Sequence, residues 1–309
     1  VARFDFGDFQ FVDPEDGSVD ISGTGLELDA EWRGFSVAGT VPASHVDLVL
    51  PPAEIHDIAT FNALIPEQTA LTLEAGTGIV ESRLEVEDRV ATGTFNLVAE
   101  DIVLDARDTP LFGDLEVHAR LAEGDLPARH FDFSGTTIQV DNIVDEAASE
   151  RKQEKLEAWF CAVELEHGEI TFGKPAALDG GVRIEMHDSR PVMAMLKQLG
   201  AGPKWLSLAP NIRNVDGTLD VSIHEGYVAL DDLVRAGDGF EALGWMHVDN
   251  KQTNGRLFAR FKAVMGGVSI NQSKAKIHLS KPRKWFEAQP KGPVPPDDIA
   301  ATEIPPGDS

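Results

Sequence analysis

Hydropathy alternation with a period of two runs through most of this 309-residue chain and limits its folding choices more than any other feature. Leu26, Leu28, Ala30 and Trp32 alternate with Glu27, Asp29 and Glu31. Leu115, Val117, Ala119 and Leu121 alternate with Glu116, His118 and Arg120. Leu219, Val221 and Ile223 alternate with Asp220, Ser222 and His224, and Ala275, Ile277 and Leu279 with Lys274, Lys276 and His278. Successive side chains of a strand point to opposite faces, so each run reads as a half-buried antiparallel strand with one dry and one wet face. No β-α-β alternation appears, which argues against a doubly wound parallel sheet. The fold class expected is all-β and mainly antiparallel: an elongated, twisted and curved meander of roughly fifteen to eighteen strands with a few short helices.

Glycine dipeptides punctuate the runs: Asp16-Gly17, Glu123-Gly124, His167-Gly168, Asp179-Gly180, Asp216-Gly217, Glu225-Gly226, Asp238-Gly239, Asn254-Gly255 and Gly266-Gly267. Tight hairpins need positive φ, so these are read as turns. A loose pattern of a small or apolar residue followed by Gly, at Ser22-Gly23, Ala38-Gly39, Thr92-Gly93, Ser134-Gly135 and Leu243-Gly244, suggests one unit reused along a growing sheet. Three segments carry helical signals. Ile55, Ile58, Phe61 and Ile65 are spaced for a helix, and residues 145–159 are rich in Ala, Glu and Lys. Residues 191–199 follow the capping candidates Asp188 and Ser189 and stop at Gly200, with Trp205 and Leu206 in a short turn beyond. The organisation expected is a β-rich region over 1–144, a helical connection over 145–159, a second β-rich region over 160–287 continuous with the first, and a Pro-rich, disordered tail over 288–309. The connection either divides two β layers or interrupts one.

The chain carries 52 acidic and 27 basic residues, net −25, which repels phosphate backbones and excludes nucleic acid as a partner. The charge is uneven. Between Gly244 and Lys291, ten Lys/Arg face only Asp249 and Glu287, a net of +8. Such an end suits anionic headgroups or an acidic partner, or is a solvated face whose lysines protect an edge strand. No stretch approaches 18 continuous apolar residues, so no transmembrane helix is expected within it. The chain begins at Val1, which leaves room for a leader or anchor removed from it.

A search for chemistry finds none. Cys161, the sole cysteine, sits among Trp159, Phe160, Ala162 and Val163 and reads as a small buried hydrophobe. There is no G-x-S-x-G and no H-E-x-x-H, and Gly76-Thr77-Gly78 lacks the lysine and helix of a phosphate loop. The acids Asp101, Asp105, Asp114 and Glu116 could form a glycosidase-like pair but occupy polar strand phases and turns. The expectation is a non-enzymatic protein with no catalytic residue, no metal and no cofactor. What remains distinctive is apolar sheet surface with few helices to cover it. Such a sheet either closes into a sandwich or barrel, or leaves a groove for an apolar ligand.

The segments Asp57-Ile58-Ala59-Thr60-Phe61-Asn62-Ala63-Leu64-Ile65-Pro66 and Leu71-Thr72-Leu73-Glu74-Ala75-Gly76-Thr77-Gly78 carry a resemblance. So do His130-Phe131-Asp132-Phe133-Ser134-Gly135-Thr136 and Lys281-Pro282-Arg283-Lys284-Trp285-Phe286-Glu287. Together they resemble stretches of the AsmA-like and TamB-like envelope proteins of Gram-negative bacteria, over most of residues 18–287. The resemblance implies a periplasmic β-groove body, tethered to the inner membrane by an N-terminal helix that this chain does not contain. It further implies phospholipid transport towards the outer membrane and outer-membrane biogenesis. The chain is shorter than those relatives, which implies a fragment or a single module. On this reading the partners are phospholipid acyl chains, with a membrane surface or envelope proteins. The groove lining expected from the dry strand phases is Leu115, Val117, Ala119, Leu121, Phe131, Phe133, Leu219, Val221 and Ile223. The alternative is a closed β-sandwich scaffold of the envelope whose basic end or tail recruits a partner.

Overall fold

The computed structural model describes residues 1–12, 19–31, 45–64, 71–106, 110–145, 159–173, 177–189, 212–224, 227–249, 252–272 and 274–289. These residues form one antiparallel sheet of 16 strands in chain order. Its first half comprises β1 (Ala2–Val12), β2 (Val19–Glu31), β3 (His45–Ile55), β4 (Leu71–Glu87), β5 (Val90–Ala106), β6 (Pro110–Asp125), β7 (His130–Asp132) and β8 (Thr137–Asp145). Its second half comprises β9 (Phe160–Thr171), β10 (Ala177–Asp188), β11 (Arg213–His224), β12 (Tyr227–Gly237), β13 (Phe240–Asp249), β14 (Gln252–Phe261), β15 (Val264–Asn271) and β16 (Lys274–His278). A 3-10 helix (Ile58–Leu64) follows β3, and one α-helix, α1 (Pro282–Glu287), follows β16. The expected all-β antiparallel meander is the observed one. The two β-rich regions belong to a single sheet, because β6 and β9 both pair with β8.

β7 and β8 occupy one lane. Asp132 pairs with Glu123 and Glu169, and Thr137 pairs with His118 and Glu164, five residues further along all three strands. The register therefore survives the break at residues 133–136. The break is hydrogen-bonded throughout: the N–H groups of Phe133 and Gly135 donate to Gly168 O and Leu165 O at 2.7 Å each, and Leu165 N–H donates to Thr136 O at 2.9 Å. Two of the bulges elsewhere in the sheet fall where Asp takes a left-handed backbone, at Asp101 (φ 51) and Asp232 (φ 44). Asp and Asn tolerate that region better than other non-glycine residues.

Several glycine dipeptides expected as turns lie inside strands instead. Gly124, Gly168, Gly180, Gly217, Gly255 and Gly267 are paired strand residues. Asp238-Gly239 is a turn, with Gly239 at φ 70. The helical expectation at Ile55–Ile65 is met by the 3-10 helix, with Ile55 still in β3. Of the helical connection expected over 145–159, Asp145 ends β8 and Trp159 is buried just before β9; the rest of it, the expected helix over 191–199, Trp205–Leu206, the turns at Asp16-Gly17 and Glu225-Gly226, and the tail beyond Gln289 lie outside the described residues.

Candidate functional site

Residues directly opposite each other in an antiparallel pair share a face, so the registers trace rows across the sheet. One row runs Ala2, Ala30, Val46, Val86, Ala91, Gly124, Phe131, Ile170, Leu178, Ile223, Val228, Val248. A second runs Ala53, Val80, Leu97, Val117, Ile138, Val163, Ile184, Gly217, Arg235, Ala242, Ala259, Gly266. Except for Arg235, every position in both rows is apolar or glycine. The opposite face carries the ion pairs: Arg83 with Asp47 at 3.0 Å, Arg183 with Glu166 at 2.7 Å, and Arg260 and Arg283 converging on Glu241 at 3.0 and 2.9 Å. The sheet is amphipathic along its whole length.

All nine expected lining residues stand on strands or strand ends that contribute to the apolar face. Leu115, Val117, Ala119 and Leu121 come from β6, Phe131 from β7, and Leu219, Val221 and Ile223 from β11. Phe133 follows β7 and stacks on Phe131 with ring centres 6.5 Å apart. These nine do not form one cluster. β6 and β11 are four lanes apart, about 20 Å, and the space between them is bridged by side chains the alternation also marked as dry: Ile138, Val163, Ile184 and Ile170. Eight of the nine are half-buried, and Ile223 is 41% exposed. Among the described residues no second sheet covers this face.

The larger buried clusters lie along one long margin, where β3 ends and β4, β6, β9 and β11 begin; away from it, Phe258 of β14, whose ring meets Phe286 of α1, is fully buried on the charged face. At that margin Ile58 of the 3-10 helix, fully buried, packs with Ile55, Leu73, Val80, Leu97 and Ile102. Phe61 meets Phe95 edge-on at 6.2 Å. Leu111 with Trp159, and Met186 with Ile212 and Val215, form two smaller clusters along the same margin. Leu115 and Val117 touch the first of these clusters, so they sit at its boundary. β1 adds aromatics that the sequence reading passed over: Phe4 stacks with Phe6 and Phe9 meets Phe11 edge-on, with Phe4, Phe6 and Phe11 each nearly half exposed. Their signal was the alternating Phe in Phe4-Asp5-Phe6 and Phe9-Gln10-Phe11.

Two of the acids weighed as a catalytic pair, Asp114 and Glu116, have structural partners, whereas Asp105 Oδ1 is buried without one among the described residues. Asp114 accepts from Asp101 N–H at 3.2 Å and from the Asn142 amide at 2.7 Å, locking two bulges, and Glu116 contacts His118 at 2.8 Å. Cys161 is half-buried, and burial pushes its thiol up from the usual range. Among the described residues, no group of three His, Cys, Asp or Glu is placed to hold a metal, and no helix is long and apolar enough to cross a membrane.

These features define a class: a single-layer antiparallel β-meander with one charged face and one uncovered apolar face. The chain matches no protein-family model, no curated protein and no solved structure.

Proposed function

We propose that this protein is a non-enzymatic lipid-binding module whose uncovered apolar face holds acyl chains. The observation that carries the reading is the pair of apolar rows running from strand to strand across the sheet: the 3-10 helix packs on Ala53, Val80 and Leu97, most of the larger side chains beyond them are only half-buried, and no second sheet lies over them among the described residues. An apolar surface of this extent in water is unfavourable unless something occupies it. The likeness of residues 57–66, 71–78, 130–136 and 281–287 to AsmA-like proteins supports the same reading. The periplasmic setting, the membrane tether and a part in outer-membrane biogenesis rest on that likeness alone.

The test is native mass spectrometry with lipid extraction on the chain purified from a Gram-negative envelope. Val117 borders the buried cluster, so a charge there also threatens the fold. Ile138 and Ile223, 39% and 41% exposed on the apolar face, are better probes. Co-purifying phospholipid that is lost in a folded Ile138→Glu, Ile223→Glu variant supports the proposal. A lipid-free wild-type chain favours the closed scaffold, whose partners are then proteins.

A further inference from the structure

Arg235 interrupts the apolar face. The registers of β9 to β15 assign three charged residues to this face: Asp188 and Arg213, opposite each other where β10 ends and β11 begins, and Arg235, the only one away from that margin. Arg235 pairs with Gly217 on one side and Ala242 on the other. Its guanidinium reaches over Gly217 towards β10, where Nη2 lies 3.4 Å from Met186 Sδ, a weak acceptor. Met186, Val215 and Ile212 there are buried. The other ion-paired arginines, Arg3, Arg83, Arg183, Arg260 and Arg283, have carboxylate partners on the charged face. No carboxylate partner of Arg235 is seen among the described residues; the connection from Ser189 to Ile212 contains no Asp or Glu, and Asp188 just before it stands opposite Arg213.

Packing alone would not choose this arrangement. The bulge at Asp232 shifts the phase of β12, so that Leu233 and Arg235 follow Leu230 onto the apolar face. Val234 is turned to the charged face and is 49% exposed. A valine outside and a cation inside is costly in both directions, because a half-buried guanidinium lacks compensation for lost hydration. Burial lowers the Arg235 pKa from the usual arginine value, with Cys161 acting against it. A fork of five donors whose acceptor among the described residues is a thioether suits an oxyanion.

Resting on the acyl-chain reading above, we propose that Arg235 is an anion subsite that takes the phosphate or carboxylate head of an amphiphile whose chain lies along the apolar face. The site thereby distinguishes acidic from neutral single-chain lipids.

The experiment titrates the delipidated full chain with three ligands of matched chain, dodecanoate, dodecyl phosphate and dodecanol, and with inorganic phosphate. Wild type binds at least one of the two anions about tenfold or more tighter than dodecanol, as a charge-assisted pair would give. Arg235→Leu loses that preference while its dodecanol affinity stays within about twofold, and Arg235→Lys keeps part of it. Arg235→Leu also melts no lower than wild type, since it removes from an apolar surface a cation with no carboxylate partner among the described residues. An anion preference unchanged in Arg235→Leu overturns the proposal, and so does a lower melting temperature in that variant, which would make Arg235 a packing residue. If inorganic phosphate binds as tightly as dodecyl phosphate, and Arg235→Leu loses both, the anion subsite stands and the acyl-chain reading fails. If none of the four ligands binds wild type, both fail.

Discussion

Asn62 brackets Leu73 with two hydrogen bonds: its amide donates to Leu73 O at 2.7 Å and its carbonyl accepts from Leu73 N–H at 2.8 Å. One side chain thus replaces the strand partner that β4 lacks at this point, and it pins the 3-10 helix onto the sheet. Ile58 and Phe61, four and one residues earlier, are held over Leu73, Val80 and Phe95 as a consequence. Asn62→Ala removes both bonds and strands two part-buried backbone groups. We expect a loss of about 1–3 kcal/mol in denaturant unfolding, with a smaller loss for Asn62→Asp, which keeps only the acceptor. A change below about 0.5 kcal/mol in the alanine variant would show that the helix is held by apolar contact alone.

The contrast between a buried margin and an uncovered face is measurable by truncation. Ile58 is fully buried, whereas Ile223 is 41% exposed. Ile58→Ala should cost about 2–5 kcal/mol, because it leaves a cavity in a packed cluster. Ile223→Ala should cost less than about 1 kcal/mol, in proportion to the smaller area it removes. Equal losses at the two sites would mean that Ile223 is also core, and the apolar face closed.

Glycines inside the strands act through close approach. A Cβ at Gly93 would lie 2.4 Å from Arg83 O of the neighbouring strand, and one at Gly78 would lie 2.5 Å from Val98 O. Backbone cannot yield as a flexible side chain can, so Gly93→Ala should lower stability by about 2 kcal/mol or more. Gly7→Ala, with nothing within 4 Å, should leave stability unchanged or raise it by up to about 1 kcal/mol. Thermal melts of the two variants check this directly.

Much of the architecture was legible in the sequence, because period-two alternation survives wherever one face is wet. The misreadings have physical causes. Gly180 sits opposite Gly168 in mid-strand, not in a turn, since small residues are needed where neighbouring backbones crowd. The β4–β5 hairpin turns instead through Asp88 and Arg89, both at positive φ (45 and 76) without a glycine to announce it. α1 escaped notice because six residues are too few for periodicity. Its marks are Pro282 in the first turn and Trp285, which stacks on His278 at 3.9 Å. Arg235 was hidden for a subtler reason: alternation counted from Leu230 puts Val234 on the dry face, and only the Asp232 bulge reverses the count.

The break between β7 and β8 carries a pH signature. Ser134 donates its hydroxyl and its N–H, the latter at 2.8 Å, to Asp132 Oδ1, and these bonds hold the carboxyl below its usual value of 3.8. A depressed carboxyl contributes stability above its unfolded pKa and loses it as pH falls through the folded one. Ser134→Ala should therefore be less stable than wild type at pH values well above 3.8, with the gap narrowing as the solution is acidified below that value. Some gap should persist, because the hydroxyl also accepts from Gly168 N–H at 3.2 Å. A gap that widens on acidification would contradict the assignment.

If acyl chains occupy the apolar face, they should be recovered with it. The most direct measurement is the mass of lipid retained by the natively purified chain, compared with a folded Ile138→Glu, Ile223→Glu variant. The expected result is bound phospholipid on wild type and its loss from the variant, with both melting cooperatively. A lipid-free wild type, or equal retention by the charged variant, would contradict it.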